Sequence, residues 1–344
     1  MAAKPQISAS LPFVKPAGTL ILTAGDVRAS LDLPTCISAV ERAFALNAQG
    51  QGLPPAILGI HAEGGGFHVK AAGLAFSRPF VAVKINANFP ANPRDHGLPT
   101  IQGALLLADG ETGYPLALMD SMSITAIRTA AATAVAARHL SNPETSRITI
   151  LGCGVQAPDQ LSALLCVRHP KEVFVHDADP DRARRFAAEQ DPKYDTAIEA
   201  VADPSSALRA SDIVVTCTPS RTPILYDGDV APGTFVAAVG ADNPEKNEIA
   251  PALMAAARVV VDSLGQCAEI GDLRAATAAG AMTVADVAAS LGDVVAGLKP
   301  LAFDADVVTV FDSTGVALQD VAAAAVAYER AVATGHGLAV DFAG

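Results

Sequence analysis

Six short β-branched runs between Arg147 and Phe311 constrain this chain more than any other feature: "RITIL", "EVFVHD", "DIVVTC", "TFVAAVG", "RVVVDS" and "VVTVF". None alternates apolar with polar, so each reads as a strand covered on both faces. "RITIL" leads into "VQAPDQLSALLCVRH" and "EVFVHD" into "PDRARRFAAEQ", stretches of helical periodicity. Buried strands separated by helices require a parallel sheet with helices on both sides, a doubly wound α/β domain. The first ~125 residues differ. Strand-like segments such as "GFHVKAAGL", "FVAVKINANF" and "IQGALLLAD" are punctuated by "GGG", "NPRDHG" and "DGETG", which predicts a mixed or antiparallel sheet. "GVALQDVAAAAVAYERAVATG" reads as one alanine-rich helix ended by Gly335, lying beyond the last strand of the middle domain and packing back on the N-terminal part.

A chain of 344 residues exceeds what one hydrophobic core usually supports, so two domains are expected. Residues 1–130 with 316–344 are expected to form one domain, of α+β type, and residues 131–315 a Rossmann-type domain. The net charge of −12 opposes binding to nucleic acid or an anionic membrane. Five scattered cysteines without CxxC spacing suggest neither a disulfide framework nor a zinc site. "MAAKPQISASLPFVKPAG" lacks the apolar core of a signal peptide, and no run approaches the ~18 apolar residues of a membrane span, so a cytoplasmic location is expected. The histidines show no metal-ligand spacing and no metal is predicted; no GxSxG nucleophile signature is present.

In "LGCGVQA", Gly152 and Gly154 stand between a predicted strand and a predicted helix. The first glycine permits the tight turn, and the second lets the backbone approach a pyrophosphate at the helix N-terminus. Ala157 takes the third, small position, and Pro158 suits a first helical turn. Small residues can occupy such a turn simply for packing. Asp177, about 25 residues further on at the end of the next strand, is the acid expected on the adenosine ribose, and it selects NAD(H) over NADP(H). Val155 and Gln156 in the turn, and Thr218 after "DIVVTC", complete the cofactor-binding positions nearby.

Other polar residues are ambiguous by spacing alone. Asp242, just past "TFVAAVG", suits either a proton shuttle beside a nicotinamide or a helix N-cap. Arg128, alone in an uncharged helical run, either reaches solvent, pairs with an acid or holds a substrate carboxylate. Lys84 and Lys70 each interrupt an apolar strand, where an outward, solvated side chain is the usual case.

The blocks "FVAVKINANFPANP", "GLPTIQGALLLADGETGYPLALMD", "SITAIRTAAATAVAARHL", "ILGCGVQA", "DIVVTCTPSRTPIL", "AVGADNPEKNEI" and "VFDSTGVALQDVAAA" run in order from about residue 50 to 330. Through them the chain resembles the ornithine cyclodeaminase/mu-crystallin family. The resemblance implies a homodimer joined through the N-terminal domain, with the C-terminal helix returning to it. It implies Asp242 as acid/base, with Lys84 at the same centre, and Lys84 and Arg128 holding substrate. Thr100 matches a substrate-side threonine, and Lys246 and Ser313 match positions near the cofactor. Many members carry an arginine after the paired prolines where this chain reads "LPPAILG" with Ala56. Lys70, where many relatives are uncharged, offers a replacement charge from the neighbouring strand.

The chemistry shared by the family is hydride exchange at the Cα of an amino or imino acid. A ketimine reductase or amino-acid dehydrogenase consumes or produces NADH, whereas an ornithine or lysine cyclodeaminase returns the hydride and releases ammonia. Loss of the usual arginine favours the reductase or dehydrogenase. A non-catalytic, mu-crystallin-like binding role is the third reading, opposed by the joint retention of Asp242, Lys84 and Arg128. All of these assignments suppose that the carboxylate at 242 and the cations at 84 and 128 serve one site.

Overall fold

The structure, a computed structural model, describes residues 18–342; the N-terminal segment read above for a leader lies outside them apart from Gly18. The chain divides into two compact units, 1–128 with 317–344 and 129–316.

The first unit opens with β1 (Thr19–Leu22), α1 (Ala24–Ser30) and α2 (Leu33–Ala48). Asp32 caps α2 by accepting from the Thr35 amide at 2.8 Å. An antiparallel run follows through β2 (Gly52–Ala62), β3 (Gly65–Ala75), β4 (Pro79–Asn88), the short α3 (Asn92–Asp95), β5 (Ile101–Asp109) and β6 (Pro115–Asp120). α4 (Ser121–Leu140) then carries the chain out, the unit boundary falling within it after Arg128.

The second unit contains β7 (Arg147–Leu151), α5 (Ala157–Leu165), β8 (Glu172–His176), α6 (Pro180–Gln190), β9 (Ala197–Ala200), α7 (Ser205–Ala210), β10 (Ile213–Thr216) and β11 (Phe235–Ala238). It continues with α8 (Pro251–Ala256), β12 (Arg258–Val261), α9 (Leu264–Ile270), α10 (Asp272–Ala278), β13 (Ala289–Ser290), α11 (Leu291–Val295) and β14 (Thr309–Asp312). Its eight strands lie in the order β13-β12-β14-β11-β10-β7-β8-β9, every pairing parallel. From β7 the chain steps outward through β8 and β9, then returns to lay β10 against the other side of β7. The exits of β7 and β10 therefore form the topological switch point, where open α/β sheets place ligands. The fold is the Rossmann-type doubly wound sheet expected from the six apolar runs.

The chain returns to the first unit as α12 (Ala317–Thr334), terminated by Gly335 at φ +74°, and β15 (Leu338–Val340). The first sheet is then complete in the order β15-β1-β6-β5-β4-β3-β2, mixed because β1 runs parallel to β6. α12 packs on α2 and across β3 and β4. Its wholly buried stretch Ala322, Ala323 and Ala324 brings its backbone close to the sheet. Leu105, Leu107 and Met119 fill the face beneath. Among the described residues no helix is long and apolar enough to cross a membrane, and no cluster of His, Cys, Asp or Glu is arranged to hold a metal ion.

Candidate functional site

The glycine corner of the second unit has two different glycines. Gly152 sits at φ +99°, and a Cβ there would meet Thr218 Cγ2 at 2.8 Å and the Cys217 carbonyl oxygen at 2.9 Å. Only glycine satisfies both the backbone and the space. Gly154 has ordinary φ and nothing within 4 Å of its missing side chain, so its backbone is bare. Val155 beside it is 81% exposed. No side chain caps the start of α5; the Ala157 amide donates to the Gly154 carbonyl at 3.2 Å and Pro158 has no N–H, so the positive end of the helix dipole is what the corner offers an anion. The Gln156 Oε1 atom is buried there without a hydrogen bond. Ala157 is fully buried, as the third small position requires.

Asp177 follows β8 directly and closes this corner. Its Oδ2 accepts from the Cys153 amide at 2.9 Å and its Oδ1 from the Asp179 amide at 2.9 Å, with Arg182 Nη1 at 3.4 Å. Burial alone would raise this carboxyl, but the two amides and Arg182 outweigh it and hold the group below the usual carboxylate range. An ionised acceptor thus stands where a ribose is expected. The bare glycine, the uncapped helix and the unpartnered Gln156 oxygen fit a dinucleotide. Cys153 is packed rather than reactive, its thiol pushed up to about 12 by burial and by Asp177.

The other positions expected near the cofactor lie at the carboxyl ends of the same sheet. Thr218 follows β10 and donates its amide and hydroxyl, both at 2.7 Å, to Glu248. Ser313 follows β14, is buried, and donates its amide to the Ala238 carbonyl at 2.9 Å. Asp242 follows β11, and here the helix-cap alternative fails. No helix begins at this point; residues 243–245 form a bend and turn, and the next helix starts at Pro251. Asn243, not Asp242, accepts the Glu245 amide at 3.0 Å. The Asp242 side chain is 53% exposed and accepts from Lys246 Nζ at 2.7 Å.

In the first unit, Lys84 and Arg128 are not solvated surface cations. Lys84 is 3% exposed and Arg128 5% exposed. Lys84 Nζ lies 2.8 Å from each carboxylate oxygen of Asp320 on α12 and 3.2 Å from Thr125 Oγ1. Arg128 places Nε 3.1 Å from the same carboxylate and Nη1 2.7 Å from Gln319 Oε1. Burial pushes Lys84 down to about 7, opposed by Asp320 and assisted by the charges of Arg128 and Lys70. Burial would raise Asp320, but Lys84 and Arg128 hold it below its ordinary value. Two cations share one carboxylate, so the cluster keeps an excess of positive charge that can hold an anion.

Lys70 pairs directly with Lys84 across β3 and β4, on the same face. Ala56 pairs with Ala71, and so faces the other side of the sheet from Lys70. Thr100 stands just before β5 at the Asn88 end of β4, its carbonyl accepting from the Phe89 amide at 2.8 Å. It is not drawn into the Lys84 cluster by any hydrogen bond described. Sequence reasoning passed over Asp320, Gln319, Thr125 and Glu248. Asp320 carried a readable signal, since a lone acid in an alanine-rich helix needs a partner as much as a lone arginine does. The hydroxyl, the amide and Glu248 carried none, because their partners are remote in sequence.

Comparison with known proteins agrees with this architecture. The chain is 37% identical over 324 residues to the alanine dehydrogenase of Archaeoglobus fulgidus, spanning 94% of this chain and 98% of that one. An archaeal alanine dehydrogenase dimer with bound NAD superposes with a TM-score of 0.89 at 36% identity, covering 94% and 99% of the two chains. The Δ1-pyrroline-2-carboxylate reductase of Thermococcus litoralis, in complex with NADH and L-proline, gives a TM-score of 0.87 at 31% identity, covering 94% and 100%. The profile of the ornithine cyclodeaminase/mu-crystallin family matches residues 17–335, and the chain belongs to that family.

Proposed function

We propose that this protein is an NAD(H)-dependent oxidoreductase acting at the Cα of a small amino or imino acid, as an imine reductase or amino-acid dehydrogenase. The observation that carries this reading is the buried pair of cations, Lys84 and Arg128, on the single carboxylate of Asp320. Burying two cations on one acid is costly unless a further anion completes the balance, and the substrate carboxylate is that anion. Lys70, directly across from Lys84, adds to the same field. Thr100 is assigned to the substrate side. A bound nicotinamide supplies or accepts the hydride at Cα. Asp242, which accepts from Lys246 Nζ at 2.7 Å, moves the proton at the substrate nitrogen. Gly152, Gly154, Val155, Gln156, Asp177, Thr218 and Ser313 are assigned to NAD(H), with the carboxylate of Asp177 repelling a 2′-phosphate.

A cyclodeaminase reading has its own support in a lysine cyclodeaminase structure at 28% identity and a TM-score of 0.82. A relative from Sinorhizobium fredii that carries a cyclodeaminase name is also 37% identical; the alanine dehydrogenase, pyrroline-2-carboxylate reductase and iminosuccinate reductase relatives favour the redox reading. The deciding experiment supplies NADH with a panel of cyclic and acyclic imino acids, then NAD with alanine, proline, ornithine and lysine, following NADH absorbance and ammonia separately. NADH consumption with an imino acid is expected; ammonia from ornithine or lysine without net NADH change would replace this reading with the cyclodeaminase one.

We further propose a homodimer formed through the first sheet. One face is covered by α2 and α12; the register places Leu58, Ile60, Ile85, Leu106 and Leu118 together on the other, all of them exposed. A contiguous apolar sheet face of this kind is the mark of an interaction surface. The dimer described for the alanine dehydrogenase relative supports a second copy as its occupant.

A further inference from the structure

Glu248 has no place in the reaction as set out above, yet it is fully buried and carries four short hydrogen bonds. Its Oε1 accepts the amide and the hydroxyl of Thr218, both at 2.7 Å. Its Oε2 accepts the Gly240 amide and the Thr216 hydroxyl, again at 2.7 Å. One oxygen thus grips the loop leaving β10, and the other ties the end of β10 to the loop leaving β11. The two loops touch directly. A Cβ on Gly240 would lie 2.3 Å from the Thr218 carbonyl oxygen and 2.5 Å from the Glu248 carboxylate, so only glycine permits the contact. Asp242 hangs from the same point, its amide donating to the Gly240 carbonyl at 3.1 Å.

A buried carboxylate held by hydrogen bonds alone is expensive to keep. We propose that Glu248 is a positioning residue: it locks the Thr218 loop and the Gly240–Asp242 loop into one rigid edge, and so sets the affinity for NAD(H) and the aim of Asp242. This rests on the cofactor and acid/base assignments of the preceding subsection.

The chemistry of the clamp makes it responsive to pH. Burial, aided by the Asp272 carboxylate, pushes Glu248 up to about 7 against its hydrogen-bond donors. Asp272 faces it from the start of α10, accepting the Glu248 amide at 2.7 Å, and the Cys217 thiol faces it from the β10 loop. Above that pH the carboxylate accepts from all four donors. Below it, one oxygen acquires a hydrogen. The Thr216 and Thr218 hydroxyls can rotate to receive it, but the two backbone N–H groups cannot reverse, and one of them loses strength.

Glu248→Gln tests this, because the amide nitrogen must face one of the two backbone donors in either orientation. NADH affinity is followed by fluorescence between about pH 6 and about pH 8, and amide hydrogen exchange is read on peptides spanning both loops. The variant is expected to bind NADH about tenfold more weakly at the upper pH, the effect of losing one hydrogen bond to a charged group. The wild type should approach the variant as pH falls through about 7, while the variant itself stays flat. Both loop peptides should exchange faster, with β8 and β9 unchanged. Wild-type NADH affinity together with unchanged loop exchange in the variant would overturn the proposal. If the wild type binds no NADH, the cofactor assignment fails separately, and exchange alone decides whether Glu248 locks the loops. Should the variant not fold, Thr216→Val removes one bond to Oε2 and gives the same readouts at smaller amplitude; no change in either would overturn the proposal equally.

Discussion

Lys84 shows how burial turns a common side chain into a selective one. With its ammonium pushed down to about 7, it is charged below that pH and neutral above it. The grip on an anionic substrate should therefore weaken as pH rises through about 7, seen as a falling limb in kcat/KM, which reports the free enzyme. In Lys84→Arg, whose guanidinium stays charged, that limb should move to much higher pH. The glycine corner separates fold from binding in the same way. Gly152→Ala meets Thr218 and Cys217 at under 3 Å in a left-handed conformation, and should cost about 1–3 kcal/mol of stability in urea denaturation. Gly154→Ala meets nothing and should leave stability unchanged, while weakening NADH binding measured by fluorescence. The burial of Lys84 was hidden, because a lysine interrupting an apolar strand is usually solvated, whereas the glycines and Asp177 were readable because their positions at strand ends are set by local pattern. That Lys84 and Arg128 share Asp320 was not, since the acid lies nearly two hundred residues or more away in sequence from each.

Among the elements, α12 does more than cover a sheet. It supplies the acid that both buried cations need, so Asp320→Asn leaves them short of a partner. That change should cost about 3–5 kcal/mol in thermal or urea unfolding, well beyond an ordinary surface substitution. The helix itself was plain in the sequence, from its alanine content to the glycine at φ +74° that ends it. The long strands β3, β4 and β5 and the apolar strands β7, β8, β10, β11, β12 and β14 were equally legible. The short edge strands β9 and β13 were not singled out, because a run of a few residues at a sheet edge has neither length nor alternation to mark it. The turn at Asp242 illustrates the converse error of pattern, where a residue suited to capping a helix stands in a loop that never becomes one.

At the scale of the whole molecule, the exposed apolar face of the first sheet carries the assembly prediction. Ile85→Glu combined with Leu106→Glu places two charges on that face without touching the buried side of the sheet. Light scattering should report a dimer for the wild type and a monomer for the double variant, with the far-ultraviolet spectrum unchanged; a dimer persisting in the double variant would place the interface elsewhere. Which face stays uncovered could not be read from composition, since both faces of β4 and β5 are apolar. The route of the chain has a consequence for its synthesis. The first sheet is opened by β1 and closed by β15, and the counter-ion of Lys84 resides on α12, so the ribosome delivers the last parts of the first unit after the whole Rossmann-type unit. The nucleotide fold can mature co-translationally. The unit begun earliest must wait, with Lys84 and Arg128 still hydrated, and is completed only when α12 emerges.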